Sequence, residues 1–427
     1  MRTNAENLLS KVEKKYNGDI FASNRNESCY VFEKYSVISQ ERIQSDQMAL
    51  RIVGDNNIGY STASGYYDSD EMLNNALKTF KYNTEQCKME DYNCCFTKTV
   101  VQIYDSQIEN IDYLFIQNVK KKLEKLLLTL PRFRCQIQCI VDEIFYYKFF
   151  CEKKGYDYNY KKTILKVQFE AFSENNDLLF YYRDGKCKLY DFVDKISSKV
   201  SLQQNLPYHQ IRELNLKNVF FSPLAVYCIA KNYLGMSLNG KLTMKQLNSQ
   251  LFGRNVNILD CGITDWQIGS QPFDDEGVMC RTTKLVQDGK INEFYSDILT
   301  AQKRKTRSSG NGKRGWCTPP APFYNNLIIL SSLEHQNLLD NTQEGYYIDF
   351  LEDNGTSDNI NGIFRGKVII SYMIRQGKLL ERLGEYSLQI NIDKMLQNAQ
   401  FTNPGEWIAG DFYSPTIFLN EVNLWEV

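Results

Sequence analysis

Three runs of residues, 134–151, 161–173 and 178–183, alternate bulky apolar side chains with charged or polar ones. Successive side chains on a strand point to opposite faces, so this pattern suits antiparallel strands with one packed and one wet face. Three long neighbouring strands demand a broad sheet, which constrains the N-terminal half more than any other feature. Within the first run, Cys135, Ile137, Cys139 and Val141 alternate with Gln136 and Gln138. Both thiols therefore read as small apolar groups on one face.

The flanking text supplies helices. Leu8, Leu9 and Val12 share a face over residues 3–16. Strands follow at 29–35, 48–53 and 58–62, with Gly54-Asp55-Asn56-Asn57 as the turn of a hairpin. Ser69 is placed to cap a helix running to about Tyr82. A further helix is expected from about Ile108 to Leu130, stopped by Pro131. Its Leu123, Leu126, Leu127 and Leu130 read as the face packed on the sheet. Another helix is placed near Leu189–Val200. A second unit opens at Ser222-Pro223-Leu224-Ala225, an N-cap followed by proline at the first helical position. Beyond residue 256 the text is mostly strand and turn, with strands expected at 256–260, 281–287, 326–331, 345–350, 362–376 and 415–420. The reading is an α+β protein of two domains. Residues 1–215 form a mixed sheet with helices, divisible into subregions 1–85 and 105–205. Residues 216–427 form a mostly antiparallel β domain.

Composition narrows the function. A hydrophobic content of 43% suffices for a core, and a formal charge of −1 removes any global drive toward nucleic acid or an acidic membrane. No apolar run reaches the roughly 18–20 residues of a membrane span. The N-terminus reads as an amphipathic helix, not a signal peptide, so a cytoplasmic location is expected. The 12 cysteines contain no C-x-x-C and are expected to be free thiols.

The densest chemistry lies at Phe273-Asp274-Asp275-Glu276-Gly277. Adjacent carboxylates repel and shift one another's pKa values. Such a cluster serves a turn, a peptide or partner contact, or a divalent cation. If the segment is extended, Asp274 and Glu276 share a face and Asp275 points the other way. Downstream, Lys303, Arg304, Lys305, Arg307, Lys313 and Arg314 form a basic loop, read as solvated or as a dock for an acidic peptide. The chain has only two histidines, His209 and His335. His209 has Glu213 one helical turn on, which gives two ligands at most. A histidine-based zinc centre, which needs three or four protein ligands, is excluded within the chain. Cys or Ser nucleophiles would need one of these histidines as base, and neither lies in a recognisable catalytic motif.

The segment 273–277 resembles the Phe-Asp-x-Glu-Gly signature of the TldD/PmbA family. The resemblance continues in order through Asp288-Gly289-Lys290-Ile291, Ser309-Gly310-Asn311-Gly312, Pro322 with Asn325-Asn326-Leu327, and Gly362-Ile363-Phe364-Arg365-Gly366. The TldD branch carries His-Glu-x-x-x-His; this chain does not, and so resembles the PmbA/TldE branch. The resemblance implies a subunit without zinc or general base of its own. A TldD-like partner would supply the zinc in a heterodimeric metalloprotease that cuts unfolded or ribosomally made precursor peptides. A homodimer in the partner's absence stays open. A stand-alone modulator of the gyrase or toxin type is the alternative. Asp274, Asp275, Glu276, Gly277, Gly310, Asn311 and Asn326 are the candidate positions, as peptide or partner contacts or as structural residues.

Overall fold

A computed structural model describes residues 2–422, except 55–56, 66, 84–100, 152–154, 204–205, 210–215, 316–317 and 334–336. The adjacent Cys94 and Cys95, Glu213 and His335 lie outside the described residues. The first half runs α1 (Arg2–Val12), β1 (Asn17–Glu33), β2 (Val37–Val53), β3 (Ile58–Ser64), α2 (Ser69–Tyr82), α3 (Ser106–Glu109), α4 (Tyr113–Leu126), β4 (Arg132–Phe149), β5 (Tyr156–Phe172), β6 (Leu178–Lys186) and α5 (Phe192–Gln203). Its six strands form one antiparallel sheet in the order β3-β2-β1-β4-β5-β6. Both expected subregions therefore share a single sheet. β1 and β2 are far longer than the expected strands, because the polar stretch Asn24–Ser28 pairs with Arg42–Asp46. Cross-strand bonding holds this stretch extended where no apolar alternation marks it.

Helices cover one face of the sheet. α1 and α2 pack Leu8, Val12 and Met72 onto Ile20, Leu50 and Phe149. α4 and α5 pack Ile116, Leu123 and Ile196 onto Phe133, Cys135, Ile137 and Cys139. The expected helix 108–130 is broken at Asn110–Asp112, because Asp112 accepts from the Phe115 N–H at 2.9 Å and starts a new helix. Leu123, Leu127 and Leu130 are buried as expected, but Leu126 is 54% exposed. Asp68, not Ser69, caps α2, accepting from the Asp70 and Glu71 N–H groups.

The second half adds β7 (Tyr208–His209), β8 (Lys217–Phe221), α6 (Pro223–Ser237), β9 (Val256–Cys261), β10 (Thr282–Gln287), β11 (Lys290–Ile291), α7 (Ile298–Lys303), β12 (Gly312–Lys313), β13 (Ala321–Pro322), β14 (Leu327–Ser331), β15 (Glu344–Asp353), β16 (Ile363–Arg375), β17 (Lys378–Leu383), β18 (Tyr386–Asn391), α8 (Ile392–Gln397), β19 (Gln400–Ile408) and β20 (Phe412–Glu421). Twelve of these strands join one sheet along β11-β10-β9-β14-β20-β8-β15-β16-β17-β7, with β18 on β16 and β19 on β20. Pairing is mostly antiparallel; β14–β20, β15–β8 and β17–β7 are parallel. β7, with His209, belongs to this sheet although it precedes residue 216. Ser222 caps α6 by accepting from the Ala225 N–H at 3.1 Å, and Pro223 opens the helix. Val226, Ile229, Ala230, Tyr233 and Leu234 then fill the core against Phe221, Ile348, Phe364 and Ile417.

The expectation of a wet sheet face fails over its central part. Ile140, Asp142, Ile144, Tyr146 and Lys148 on β4, with Lys162 and Ile164 on β5, point away from the helices yet are buried. The second half docks there. Phe273 inserts against Tyr146, Tyr158 and Tyr160, with its ring centroid 5.1 Å from that of Tyr160. The Lys162 ammonium donates to the carbonyls of Ile268 (2.6 Å) and Ser270 (2.8 Å). No described helix is long and apolar enough to cross a membrane.

The helix–sheet packing makes one clear prediction. Leu123→Ala should lower the unfolding free energy by about 2–5 kcal/mol, and Leu126→Ala by about 0.5 kcal/mol or less. Urea denaturation of the two variants checks this; equal effects would reject the assigned helix face.

Candidate functional site

The segment 273–280 is a tight turn, not an extended strand. The Asp274 N–H donates to Val278 O at 2.8 Å, and the Gly277 N–H donates to Asp274 O at 2.9 Å. Asp274 is fully buried. Its Oδ1 accepts from the Glu276 and Val278 N–H groups (3.0 and 2.9 Å) and its Oδ2 from the Gly312 N–H at 2.7 Å. The carboxylate thus ties the turn to the end of the basic loop. Asp275 is half-buried; its Oδ2 accepts from the Arg314 N–H at 2.7 Å.

Glu276 reaches across to the first half. Its Oε1 pairs with Arg51 Nη1, and its Oε2 accepts from the Ile298 N–H at 2.7 Å, at the start of α7. Arg51 lies near the end of β2, and its Nε also donates to Asp19 Oδ2 on β1 at 2.7 Å. Asp19 Oδ1 accepts from Arg314 Nη2 at 2.7 Å, although the Arg314 side chain is only 3% exposed. Tyr146 on β4 donates its hydroxyl to Glu276 O at 2.7 Å. Two arginines and two acids from opposite halves therefore form one buried chain: Glu276, Arg51, Asp19, Arg314. Every carboxylate oxygen of Asp19, Asp274 and Glu276 has a protein donor. Arg51 and Arg314 supply the positive charge that a divalent cation would bring.

Burial sets the titration of this cluster. Asp274 is raised well above the carboxylate range by desolvation and then by the Glu276 charge, against the pull of its three backbone donors. Glu276 is raised by burial, against Arg51. Burial opposes the charge on Arg51, but Asp19 and Glu276 outweigh it and raise its pKa well above the ordinary value.

Gly277 has φ +74°, and a Cβ there would lie 2.2 Å from Cε1 of Tyr146. Left-handed backbone and close approach both require glycine at this point. Gly310 meets the same pair of demands: φ is +78° and a Cβ would lie 2.6 Å from Met279 O.

The remaining candidates join a second buried network inside the C-terminal half. Asn311 donates through Nδ2 to Asp260 Oδ2 at 2.5 Å and to Phe323 O at 3.0 Å, while its Oδ1 accepts from Ser309 Oγ at 2.6 Å. Asp260 Oδ1 accepts from the Asn325 N–H at 2.7 Å. Asn326 donates to Cys261 O and Ser270 Oγ and accepts from the Gly269 N–H at 3.0 Å. Asp260, at the end of β9, is pushed up to about 6 by burial. The expectation of a solvated basic loop holds only for Lys303, Lys305 and Arg307. Residues 308–312 are buried, Arg314 is internal, and Arg304 donates to the carbonyls of Gly240 and Thr243.

Sequence reasoning missed Asp19, Arg51 and Asp260, and read Arg314 only as part of a solvated or peptide-docking loop. Arg51 carried a signal, since a lone charge interrupts the apolar run Met48–Val53. Nothing local marked Asp19, whose partners lie 32 and 295 residues away. Among the described residues, no three His, Cys, Asp or Glu side chains are gathered so as to hold a metal ion.

Residues 217–425 match the family model described as the PmbA/TldA metallopeptidase C-terminal domain. An uncharacterized protein of Methanocaldococcus jannaschii is 29% identical over 170 residues, 38% of this chain and 40% of that protein. A metalloprotease of Synechocystis is 34% identical over 161 residues, 37% of this chain and 33% of its own length. These matches span well under half of either partner. TldE from Thermococcus kodakarensis shares the fold over 98% of both chains, with a TM-score of 0.79 at 16% identity. A putative modulator of a DNA gyrase from Thermotoga maritima also gives 0.79, over 99% of this chain and 98% of its own, at 15% identity. The C-terminal half of the chain therefore belongs to the PmbA/TldA metallopeptidase C-terminal domain family.

Removing one member of a buried ion pair typically costs about 3–5 kcal/mol. Arg51→Met should destabilise the chain by that amount. Asp275→Asn, at a half-buried site with one backbone partner, should cost about 1 kcal/mol. Chemical unfolding measures both. Near-native stability of Arg51→Met combined with failed assembly would instead assign the cluster to partner contact. Asp260 gives a pH signature. Its folded pKa, about 6, lies above the ordinary 3.8, so the native state binds more protons between these values. Stability from this group is therefore full below about pH 4 and declines as pH rises to about 6. As pH rises across that window the melting temperature of wild type should fall relative to that of Asp260→Asn, and the two should run parallel outside it.

Proposed function

We propose that this chain is the TldE-type subunit, without a metal centre, of a two-chain metalloprotease acting on unfolded or ribosomally made precursor peptides. One observation carries the reading: the family's C-terminal domain stands in a chain with only two histidines, neither in a His-Glu-x-x-x-His motif. Zinc proteases need about three protein ligands and a base on or near one helix. A TldD-like chain would bring both. Asp274 and Glu276 of the family-like segment face inward, so the contribution of this segment is a rigid wall of the assembly. The full-length likeness to TldE agrees with this role, as do the metalloprotease names of several relatives. An extended client would bind by main-chain pairing, which tolerates varied sequence. Assembly and cleavage are expected in the cytoplasm.

The test is reconstitution with a TldD-like chain from the same genome. The expected result is a stable heterodimer that cleaves an unfolded peptide, is inhibited by chelator, and carries zinc on the partner. This chain alone should hold far less than one zinc and show no cleavage. Cleavage by this chain alone at the rate of the mixture would reject the proposal. Absence of any complex with the partner would favour the stand-alone modulator.

A further inference from the structure

Between the two halves lies a pocket of about 380 Å³ that the carboxylate network does not use. This size is within the range of small-molecule sites. Its walls are mainly apolar. Leu130 follows α4, Leu179 and Phe180 come from β6, Val200 from α5, and Leu206 precedes β7. Arg382, from β17 in the other half, also lines it. Arg382 is only 9% exposed, and its side chain makes one hydrogen bond, from Nη2 to Leu178 O. Its Nε is buried with no partner, and among the described residues no acidic side chain pairs with it. Directly across the strand pair, Tyr372 is fully buried and its hydroxyl also lacks a partner. The one acid in the lining, Asp177, is exposed and accepts from Ser173 Oγ within the β5–β6 turn.

A guanidinium without a counter-ion is costly when any of its donors is desolvated and unpaired, as Nε is here. A planar carboxylate matches those donors in geometry and charge. The apolar walls would take the stem attached to it. We propose that this pocket binds a carboxylate carried on an apolar stem, with Arg382 as its anion partner. Two sources share that chemistry: the C-terminal residue of a peptide ending in an aliphatic side chain, and a free small aliphatic acid. The pocket belongs to this chain alone, so the proposal stands or falls apart from any protease partner.

Isothermal titration of the purified full chain tests it. The probes are N-acetyl-leucine, N-acetyl-leucinamide, and the peptide Ala-Ala-Leu as free acid and as amide. Saturable binding of an acid is expected, with the matching amide weaker by about tenfold or more, since a charge-assisted bond is lost. Preference for the tripeptide acid identifies a peptide terminus; preference for N-acetyl-leucine identifies a free small acid. Arg382→Gln should reduce acid binding by about tenfold or more. Leu179→Trp, which adds bulk at a half-buried wall of the pocket, should do the same in a chain that melts as wild type. Equal binding of acid and amide overturns the proposal, as does no saturable binding to the folded chain. Undiminished binding in a folded Arg382→Gln or Leu179→Trp variant does so too.

Discussion

Arg51 is the point on which the two halves turn. It projects from near the end of a strand of the first sheet, is almost fully buried, and holds Asp19 from its own sheet and Glu276 from the other half. Desolvating a guanidinium is expensive, and only well-placed acids on both sides offset that cost. The halves therefore have one favourable relative orientation at this junction. A shift of even an ångström would leave Arg51 or Glu276 buried and unpaired. The apolar contacts around Phe273 supply adhesion, but adhesion without direction would permit sliding. The ion chain and the Tyr146 bond to Glu276 O supply the direction.

Much of the fold was legible because its determinants are local. The capping serine and proline at 222–223 placed the start of α6. Alternation located β4, β5 and β6, and Pro131 marked the end of the helical region before them. What was not legible is non-local. The polar outer parts of β1 and β2 have no apolar rhythm and are strands only because each pairs with the other. The wet face predicted for the first sheet is dry where the second half covers it, and no pattern within one strand reveals a docking partner. Apolar residues Ile108, Ile111 and Phe115 continue at helical spacing past Asp112, and this masks the cap that breaks the helix there.

The candidate site was legible as a location and not as a mechanism. Asp274, Asp275 and Glu276 do stand where chemistry concentrates, but each finds its donors within the chain. Asp274 folds the turn, Asp275 fixes the Arg314 backbone, and Glu276 crosses to Arg51. Extended geometry would have set Asp274 and Glu276 side by side against a common ligand. The turn, enforced by Gly277 at positive φ, instead aims them at different partners. Asn311 and Asn326 likewise serve Asp260 and the carbonyl of Cys261, within the C-terminal core.

These assignments shift where interaction with other molecules must occur. Asp274 and Glu276, consumed by internal bonds, offer neither open lone pairs nor exposed charge to a ligand. Buried nitrogen donors without a partner remain both inside the ion chain, at Arg314 Nη1, and at the seam between the halves, at Arg382 Nε. Arg382 is the clearest case, because it comes from one half and faces walls built by the other. The same rigid docking that Arg51 enforces thus fixes the shape of that seam. Loosening the Arg51 junction would alter the spacing of Leu179, Val200 and Arg382 without any of them being changed. The internal ion chain and the pocket are in this way two consequences of one geometry: the first sets the angle between the sheets, and the second is the space that the angle leaves.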